Sequence, residues 1–385
     1  MAGGGTALDL VVVGGGVFGL GTAWEAAERG WRVVVLEQGP IPNRVAASFG
    51  PSRKIRSTYT DVHYAALARE AMAAWRELMD RTGQDLMVPA GNLVYTTLAE
   101  QPRIDELEEV SREIGASIEM LDASQLASRY PQFLRARRAL LETDAGFLRA
   151  SACVETLRDL AESAGATVRT EQPVAAIEPN GGSVTVMLDG GERVTAARAV
   201  IAAGGWTQRL VPTLGSTLTQ SQQGIMYVAN TPAAFDYPAF PAFSSPDAGF
   251  YGFPAYRGDA FKVAQHVLGV PIASPDFDRS TAPEGFDAAA REFLADYLGL
   301  DPATTPVRAE SCMYNLTPSS DFLIDFLPGH PNVLVATGGS GHGFKFGSII
   351  GKVAIDRLAG VSSARWSEQF GWTSVTTAAQ IDRPR

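Results

Sequence analysis

The stretch "LDLVVVGGGVFGLGTAWEAAERGWRVVVLEQ" near the start constrains the fold more than any other part of the 385-residue chain. A hydrophobic run at 10–13 leads into Gly14, Gly16 and Gly19 in G-x-G-x-x-G spacing. A helical segment with Ala23, Ala26 and Ala27 small on one side follows, then Gly30, a second apolar run at 33–36, and Glu37. Each glycine has its own task. Gly14 permits a tight turn, Gly16 lets the backbone approach a pyrophosphate, and Gly19 lets helix and strand pack closely. The helix start offers unpaired N–H groups and a positive dipole end to phosphates, while Glu37 can accept hydrogen bonds from a ribose. The acidic residue disfavours a 2′-phosphate. The unit predicts a dinucleotide site and leaves nicotinamide and flavin dinucleotides open.

A chain of this length exceeds one ordinary core, so two domains, or one with an inserted second, are expected. Apolar residues at 45% and charged residues at 19% mark a globular protein able to bury a cofactor. A formal charge of −10 argues against nucleic acid or an anionic membrane as partner, since either would repel the chain. A small molecule fits better. Cys153 and Cys312 lie far apart, with no C-x-x-C and no metal spacing to His63, His266, His330 or His342, so neither a disulfide scaffold nor a metal site is expected. The start, "MAGGGTALDLVVVGGG", lacks the basic region and cleavage site of a secretory leader, and no run reaches the roughly 20 apolar residues of a membrane span. A cytoplasmic location is the expectation.

Past the first unit, "FGPSRKIRSTYTD" is a polar loop carrying Arg53, Lys54 and Arg56, and 63–79 shows apolar positions at helical spacing. Residues 91–97 form a strand pattern, 103–115 an exposed amphipathic helix, and 153–166 another helix. Strands are expected at 168–170, 174–177, 184–188 and 193–195, with "LDGGERV" a hairpin turn using positive φ at Gly190 and Gly191. A buried strand in "RAVIAAGGWT" then ends in Gly204 and Gly205. Such a small meander with a returning strand is unlike the second half of a plain nicotinamide dehydrogenase and suits a flavin-binding fold. Strand-like stretches alternate with turns over 220–310, with a helix at 286–299. Near the end, Gly338, Gly339, Gly341 and Gly343 precede a helix with Ile349, Ile350, Val353 and Leu358 on its apolar side. The pattern is mixed α/β, with a cofactor domain built from separated stretches.

With "SRKIR", "YGFP", "FKVAQH", "SCMYNLTP" and "SGHGFKF" in that order behind the dinucleotide unit, the chain resembles monomeric sarcosine oxidase and its relatives. These include the N-methyltryptophan, pipecolate and fructosyl-amino-acid oxidases, within the D-amino-acid-oxidase-like flavoproteins. The resemblance implies a Rossmann-like FAD-binding domain of the glutathione-reductase/D-amino-acid-oxidase type, spanning 1–85, 150–218 and 320–385. It implies a substrate domain on an antiparallel sheet, spanning 86–149 and 219–319. It further implies a monomer that oxidises the C–N bond of an N-methyl or cyclic amino acid to an imine and reduces O2 to H2O2. The alternatives are a deglycating oxidase of fructosyl-amino acids, a tailoring amine oxidase or dehydrogenase, and more remotely a nicotinamide-dependent dehydrogenase.

On this resemblance Cys312 forms an 8α-S-cysteinyl bond to FAD, which requires an electropositive and partly accessible thiol. Cys153, on an apolar helical face, is simply a buried hydrophobe. Lys262 matches the lysine beside flavin N5 that stabilises charge as O2 is reduced. Arg56 and Lys345 match the pair that grips the substrate carboxylate, a guanidinium fork with an added ammonium. Tyr251, His266 and Tyr314 match pocket residues. Cofactor contacts are implied for Gly14, Gly16, Gly19, Glu37, Gln38, Ser48, Arg53, Val174, Gly204, Trp206, Gly339, Gly341 and Lys345. The chain departs from its relatives at Ser48 and Phe49, where two histidines are usual, at Ser52, and at Lys54, where an apolar residue is usual. Phe49 makes that side of the pocket more apolar, and Arg257 adds charge near the entrance. These departures leave FAD binding intact and put sarcosine itself in doubt as substrate.

Overall fold

The valine-rich runs at the start of the chain become neighbouring parallel strands, because a strand buried on both faces has no use for alternation. Leu8–Val13 pairs in parallel with Val33–Leu36 on one side and with Arg193–Ile201 on the other. A computed structural model describes residues 8–381 apart from 99, 302, 304 and 306. The first seven residues of the segment inspected for a leader lie outside the described residues. The chain divides into two compact units, one made of residues 1–50, 150–220 and 314–385, the other of 51–149 and 221–313.

The first unit holds an eight-stranded sheet. Its main row runs Val174–Asn180, Ser183–Leu188, Arg193–Ile201, Leu8–Val13, Val33–Leu36, Thr167–Arg169, and His330–Thr337 pairs with both Arg193–Ile201 and Leu323–Leu327. The expected separate strands at 193–195 and in "RAVIAAGGWT" are one continuous strand. Its first half pairs antiparallel with Ser183–Leu188, and its second half lies parallel to Leu8–Val13. In the hairpin before it only Gly191 takes the positive φ, at +84°. Val11, Val34, Ala199, Ile201 and Val333 join one core beneath the sheet. The helix Val17–Glu28 packs against the helices Ala150–Ser163 and Ile350–Leu358, so three separated stretches of sequence close on one element.

The second unit holds a nine-stranded sheet in the row Val270–Pro271, Thr219–Val228, Phe261–Gln265, Phe250–Phe253, Ala242–Ser245, Asn92–Thr96, Arg138–Glu142, Ile118–Asp122, with Val307–Leu316 on the Thr219–Val228 strand. Along that row the pairs are antiparallel except Ala242–Ser245 with Asn92–Thr96. One side is packed with rings: Phe293 of the helix Phe286–Leu298 stacks on Phe250 at 4.5 Å, and Phe133 stacks on Phe240 at 4.9 Å. Such offset ring pairs add specific geometry to the area they bury.

Residues 51–85 belong to this second unit and not to the first, as the sequence had suggested. Ser52–Ile55 pairs with Gly146–Arg149, which also pairs with Met87–Val88, so a small three-stranded sheet holds the stretch there. Conversely, residues 314–319 belong to the first unit, where Asn315 Nδ2 donates to Gly204 O at 2.9 Å and to Thr337 Oγ1 at 2.8 Å. Among the described residues no helix is long and apolar enough to cross a membrane, and no group of three His, Cys, Asp or Glu could hold a metal ion.

Candidate active site

In the first unit the G-x-G-x-x-G turn sits between the strand Leu8–Val13 and the helix Val17–Glu28. Gly14 has φ +110°, and a Cβ there would lie 2.4 Å from Ala202 O. A Cβ on Gly19 would lie 1.9 Å from Gly14 O, so only a bare backbone allows the helix to start this close to the strand. The N-cap Gly16 provides no side-chain cap. The first-turn amides have no intrahelical acceptor, and that of Val17 donates to Ser48 Oγ at 3.1 Å. Glu37 is buried, and its carboxylate accepts from Gly15 N at 2.6 Å, Gly39 N at 3.0 Å and Asn43 Nδ2 at 2.9 Å. The carboxylate is thereby locked beside the turn with lone pairs to spare. The arrangement fits a dinucleotide: open amides and a dipole end for the pyrophosphate, and a fixed acceptor one strand away for a ribose.

The other cofactor candidates of this unit gather less tightly. Gln38 follows Glu37 and is half-buried, and Val174 begins the outermost strand of the sheet. Glu37 O accepts from Gln172 N at 2.8 Å, which ties the approach to Val174 to the acidic end. Gly204 is exposed at φ +53°, and Trp206 is buried. Gly339 O accepts from His342 N at 2.8 Å and Gly343 N at 2.7 Å, closing a tight loop. Gly341 takes φ +77° with its α-carbon against the buried ring of Tyr314, where a Cβ would come within 2.4 Å. Lys345 is buried in a 3-10 turn, and its Nζ donates to His342 O at 2.7 Å.

In the second unit a different kind of site forms, made of charge. Lys262 is 2% exposed, in a strand whose neighbours Phe261, Val263 and Ala264 are also buried. Its Nζ donates to Ser52 O at 3.3 Å and lies 5.1 Å from the Phe253 ring and 5.9 Å from that of Tyr227. Ser52 O also accepts from Arg53 Nη1 at 2.8 Å. Burial, and then the Arg53 charge, push Lys262 down to about 7. Burial also pushes the Cys312 thiol up, against the pull of Arg53, Lys262 and Arg279, while Glu310 adds to the rise. Cys312 is partly exposed on Val307–Leu316 and surrounded by cations, yet its thiol is held protonated more firmly than an electropositive setting alone suggests.

Tyr251 lies on Phe250–Phe253 opposite Ala264, and its ring meets His266 edge-on at 5.9 Å. His266 falls one residue beyond its strand, with its N–H donating to Gly249 O at 2.9 Å. Arg56 follows the strand Ser52–Ile55; its guanidinium lies 4.3 Å from the Tyr59 ring centroid and donates to Thr58 O. Arg56 belongs to the second unit and Lys345 to the first. Arg257 ion-pairs with Asp85 at 3.0 Å, so its charge is partly balanced on the surface.

Lys54 was legible only as a departure from the relatives, and Glu142 and Arg279 escaped the sequence pattern. Lys54 Nζ donates to Phe243 O and to Ser244 Oγ at 2.6 Å and lies 5.3 Å from the Tyr251 ring; burial, then Arg56, hold it well below the ordinary lysine range. Glu142 is fully buried and accepts from Ser57 N at 3.0 Å on each oxygen, anchoring the residue after Arg56, and burial raises its carboxyl. Arg279 lies in a polar turn with no periodic signal; the nearby Phe277, over whose ring its guanidinium sits at 3.6 Å, was the one visible hint.

A family model for DAO-type FAD-dependent oxidoreductases matches residues 9–357. The chain is 32% identical to N-methyl-L-tryptophan oxidase of Citrobacter koseri over 92% of its own length and 96% of the relative's. It is 28% identical to monomeric sarcosine oxidase of a Bacillus species over 90% of its length and 91% of the relative's. Among solved structures it is similar to NikD, "an unusual amino acid oxidase essential for nikkomycin biosynthesis", in its open form. That likeness has a TM-score of 0.79 and 25% identity, covering 98% of this chain and 99% of the other.

Proposed function

The chain belongs to the DAO family of FAD-dependent oxidoreductases, and from that premise we propose that it is an oxidase of secondary amines. Its substrate is an N-methyl or cyclic amino acid and its products are the imine and H2O2. The relatives named above support this substrate class by the N-methylated amino acids in their names. The observation that carries the reading is Lys262. Burying an ammonium costs several kcal/mol unless something compensates it, and such a group earns retention where negative charge develops during a reaction.

In this reading the head of the helix Val17–Glu28 would hold the FAD pyrophosphate, with Gly14, Gly16 and Gly19 giving clearance, Glu37 would take the ribose and Cys312 would be the covalent tether. Arg53 would serve the ring system. Bound FAD supplies the two-electron chemistry, accepting from the C–H beside nitrogen and donating to O2. Lys262 holds a positive charge where reduced oxygen forms. Arg56, with Lys345, fixes the substrate carboxylate, and Tyr251, His266 and Tyr314 shape the pocket around the amine. The Arg56 cation favours the neutral amine by repelling its protonated form, so no dedicated base is required. The imine then hydrolyses in water. The protein works as a monomer in the cytoplasm, where neither Cys153 nor Cys312 would be drawn into a disulfide.

A peroxide-coupled screen of N-methyl and cyclic amino acids, with each enantiomer separate, tests the reading. Turnover with one H2O2 per amine is expected. Turnover supported only by an artificial electron acceptor would make the protein a dehydrogenase. The similarity to NikD over nearly the whole chain supports a second reading, a natural-product tailoring amine oxidase or dehydrogenase. Inactivity on every simple N-methyl and cyclic amino acid of the screen, with turnover of a larger amine, would favour it.

A further inference from the structure

We infer that Lys54 sets the substrate class: its amine receives a second carboxylate, carried on the substrate's side chain, so the preferred substrate is an acidic secondary amino acid. The inference deepens the proposed amine oxidase reading and rests on it. In the nine-stranded sheet, Phe243 and Phe250 belong to the ring-packed face. Residues directly opposite in neighbouring strands share a face, as do residues two apart in one strand. Ser244 lies opposite Tyr251 and Phe253 opposite Lys262, so Ser244, Tyr251, Phe253 and Lys262 share the other face. Lys54 Nζ reaches this face, donating to Ser244 Oγ at 2.6 Å and to Phe243 O, 5.3 Å from the Tyr251 ring centroid. The Tyr251 ring meets Phe253 edge-on at 5.7 Å, and Lys262 Nζ lies 5.1 Å from the Phe253 ring. The two lysines thus stand at opposite ends of one short row of rings, and Lys262 is the end proposed to serve oxygen.

The Lys54 end of the row is accessible. Lys54, Ser244 and Tyr251 are half-buried, while Phe243, Ser245, Phe250 and Gly252 beside them in the strands are buried. A protonated lysine has three donors. Phe243 O and Ser244 Oγ take two of them, and among the described residues no carboxylate pairs with the third. A neutral acceptor would use that donor but leave the charge uncompensated, whereas a carboxylate answers both. Burial, then Arg56, hold the free amine well below the ordinary lysine range, and a carboxylate beside it favours the charged form. Arg56, proposed to fix the α-carboxylate, follows two positions later, a spacing on the order of 6–7 Å in extended chain. A short amino acid with carboxylates at both ends suits such a pair. The apolar residue usual at this position in the relatives offers an anion nothing.

The test compares side chains that differ in charge and hardly in shape. With the holoenzyme, kcat/KM is measured by peroxide release for N-methylglutamate against N-methylglutamine and for N-methylaspartate against N-methylasparagine, each enantiomer separate. Wild type should prefer the acid of at least one pair about 10 to 100-fold, the range that a hydrogen bond to a charged group gives. Lys54→Ile should bring that ratio close to one, a change in selectivity that a merely structural role would not produce. Lys54→Gln, which keeps a donor for Phe243 O without the charge, should do the same and carries the comparison should the isoleucine variant fail to fold. Wild type that oxidises the amides as well as the acids, a preference that survives in both variants, or equal loss of acid and amide turnover in both would overturn the inference. Wild type that oxidises no N-methyl or cyclic amino acid at all would instead defeat the oxidase reading, and the inference with it.

Discussion

The first unit presents peptide N–H groups at the head of the helix Val17–Glu28, whereas the second holds side-chain cations against aromatic rings. The first kind of site exists because side chains are missing: Gly14 and Gly19 leave room for nothing but backbone. The second exists because side chains are held where their charge is costly. Lys262 is pushed down to about 7 by burial and Arg53. A site made of backbone should therefore fail all at once when an atom is added. One made of charge should lose its function in graded steps while the fold survives.

The largest expected effect lies in the first unit. Gly19→Ala places a carbon on Gly14 O and near Gly14 C, both backbone atoms that cannot swing aside. The purified variant should be colourless and less stable by ~3 kcal/mol or more, as checked by flavin absorbance and thermal unfolding. A yellow variant with normal flavin content would break the comparison.

Next comes Lys262→Met. In rapid-mixing experiments the reoxidation of reduced enzyme by O2 should slow on the order of 10²–10³-fold, the usual loss when one electrostatic stabiliser of a transition state is removed. Anaerobic reduction by substrate should stay within a few-fold. Equal losses in both halves would remove the oxygen role. Arg56→Met should raise KM for a carboxylate substrate about a hundredfold, in line with ~1.5–3 kcal/mol for a hydrogen bond to a charged group, with a smaller change in kcat. Arg56→Lys should restore part of it. An unchanged KM would remove Arg56 from substrate binding.

The smallest effect is on stability. The folded-state value of Lys262, about 7, lies below that of an unfolded lysine, so between them the unfolded chain binds the extra proton. Flavin-free wild type should gain stability as pH rises from about 7 toward 10.5. Lys262→Met should be more stable than wild type below pH 7, an advantage that fades toward pH 10.5. Urea unfolding at pH 6 and pH 10 checks the sign.

What the sequence revealed follows the same division. The first unit was legible because its signals are local: a strand, three glycines and Glu37 fall within about thirty residues, and the structure brings Gly15, Glu37 and Ser48 together around one turn. The second was legible only where resemblance supplied it. Nothing near Lys262 in the chain announces Ser52 O as its partner, 210 positions away. The stretch 51–85, expected in the cofactor domain, groups with the second unit for the same reason, since the pairing of Ser52–Ile55 with Gly146–Arg149 is set by a strand nearly a hundred residues later. Glu142 sits at the end of a strand beginning "RALL", and its bonds to Ser57 come from tertiary packing alone. Arg279 had no pattern to find, since its neighbours on Val307–Leu316 meet it only in the fold.

The most direct test of the account uses the wild-type holoenzyme and one active amine. Mixed anaerobically, the flavin should bleach. On admission of O2 the oxidised spectrum should return, with one H2O2 formed per flavin. A flavin that no N-methyl or cyclic amino acid bleaches, or a reduced flavin that O2 leaves reduced, would contradict it.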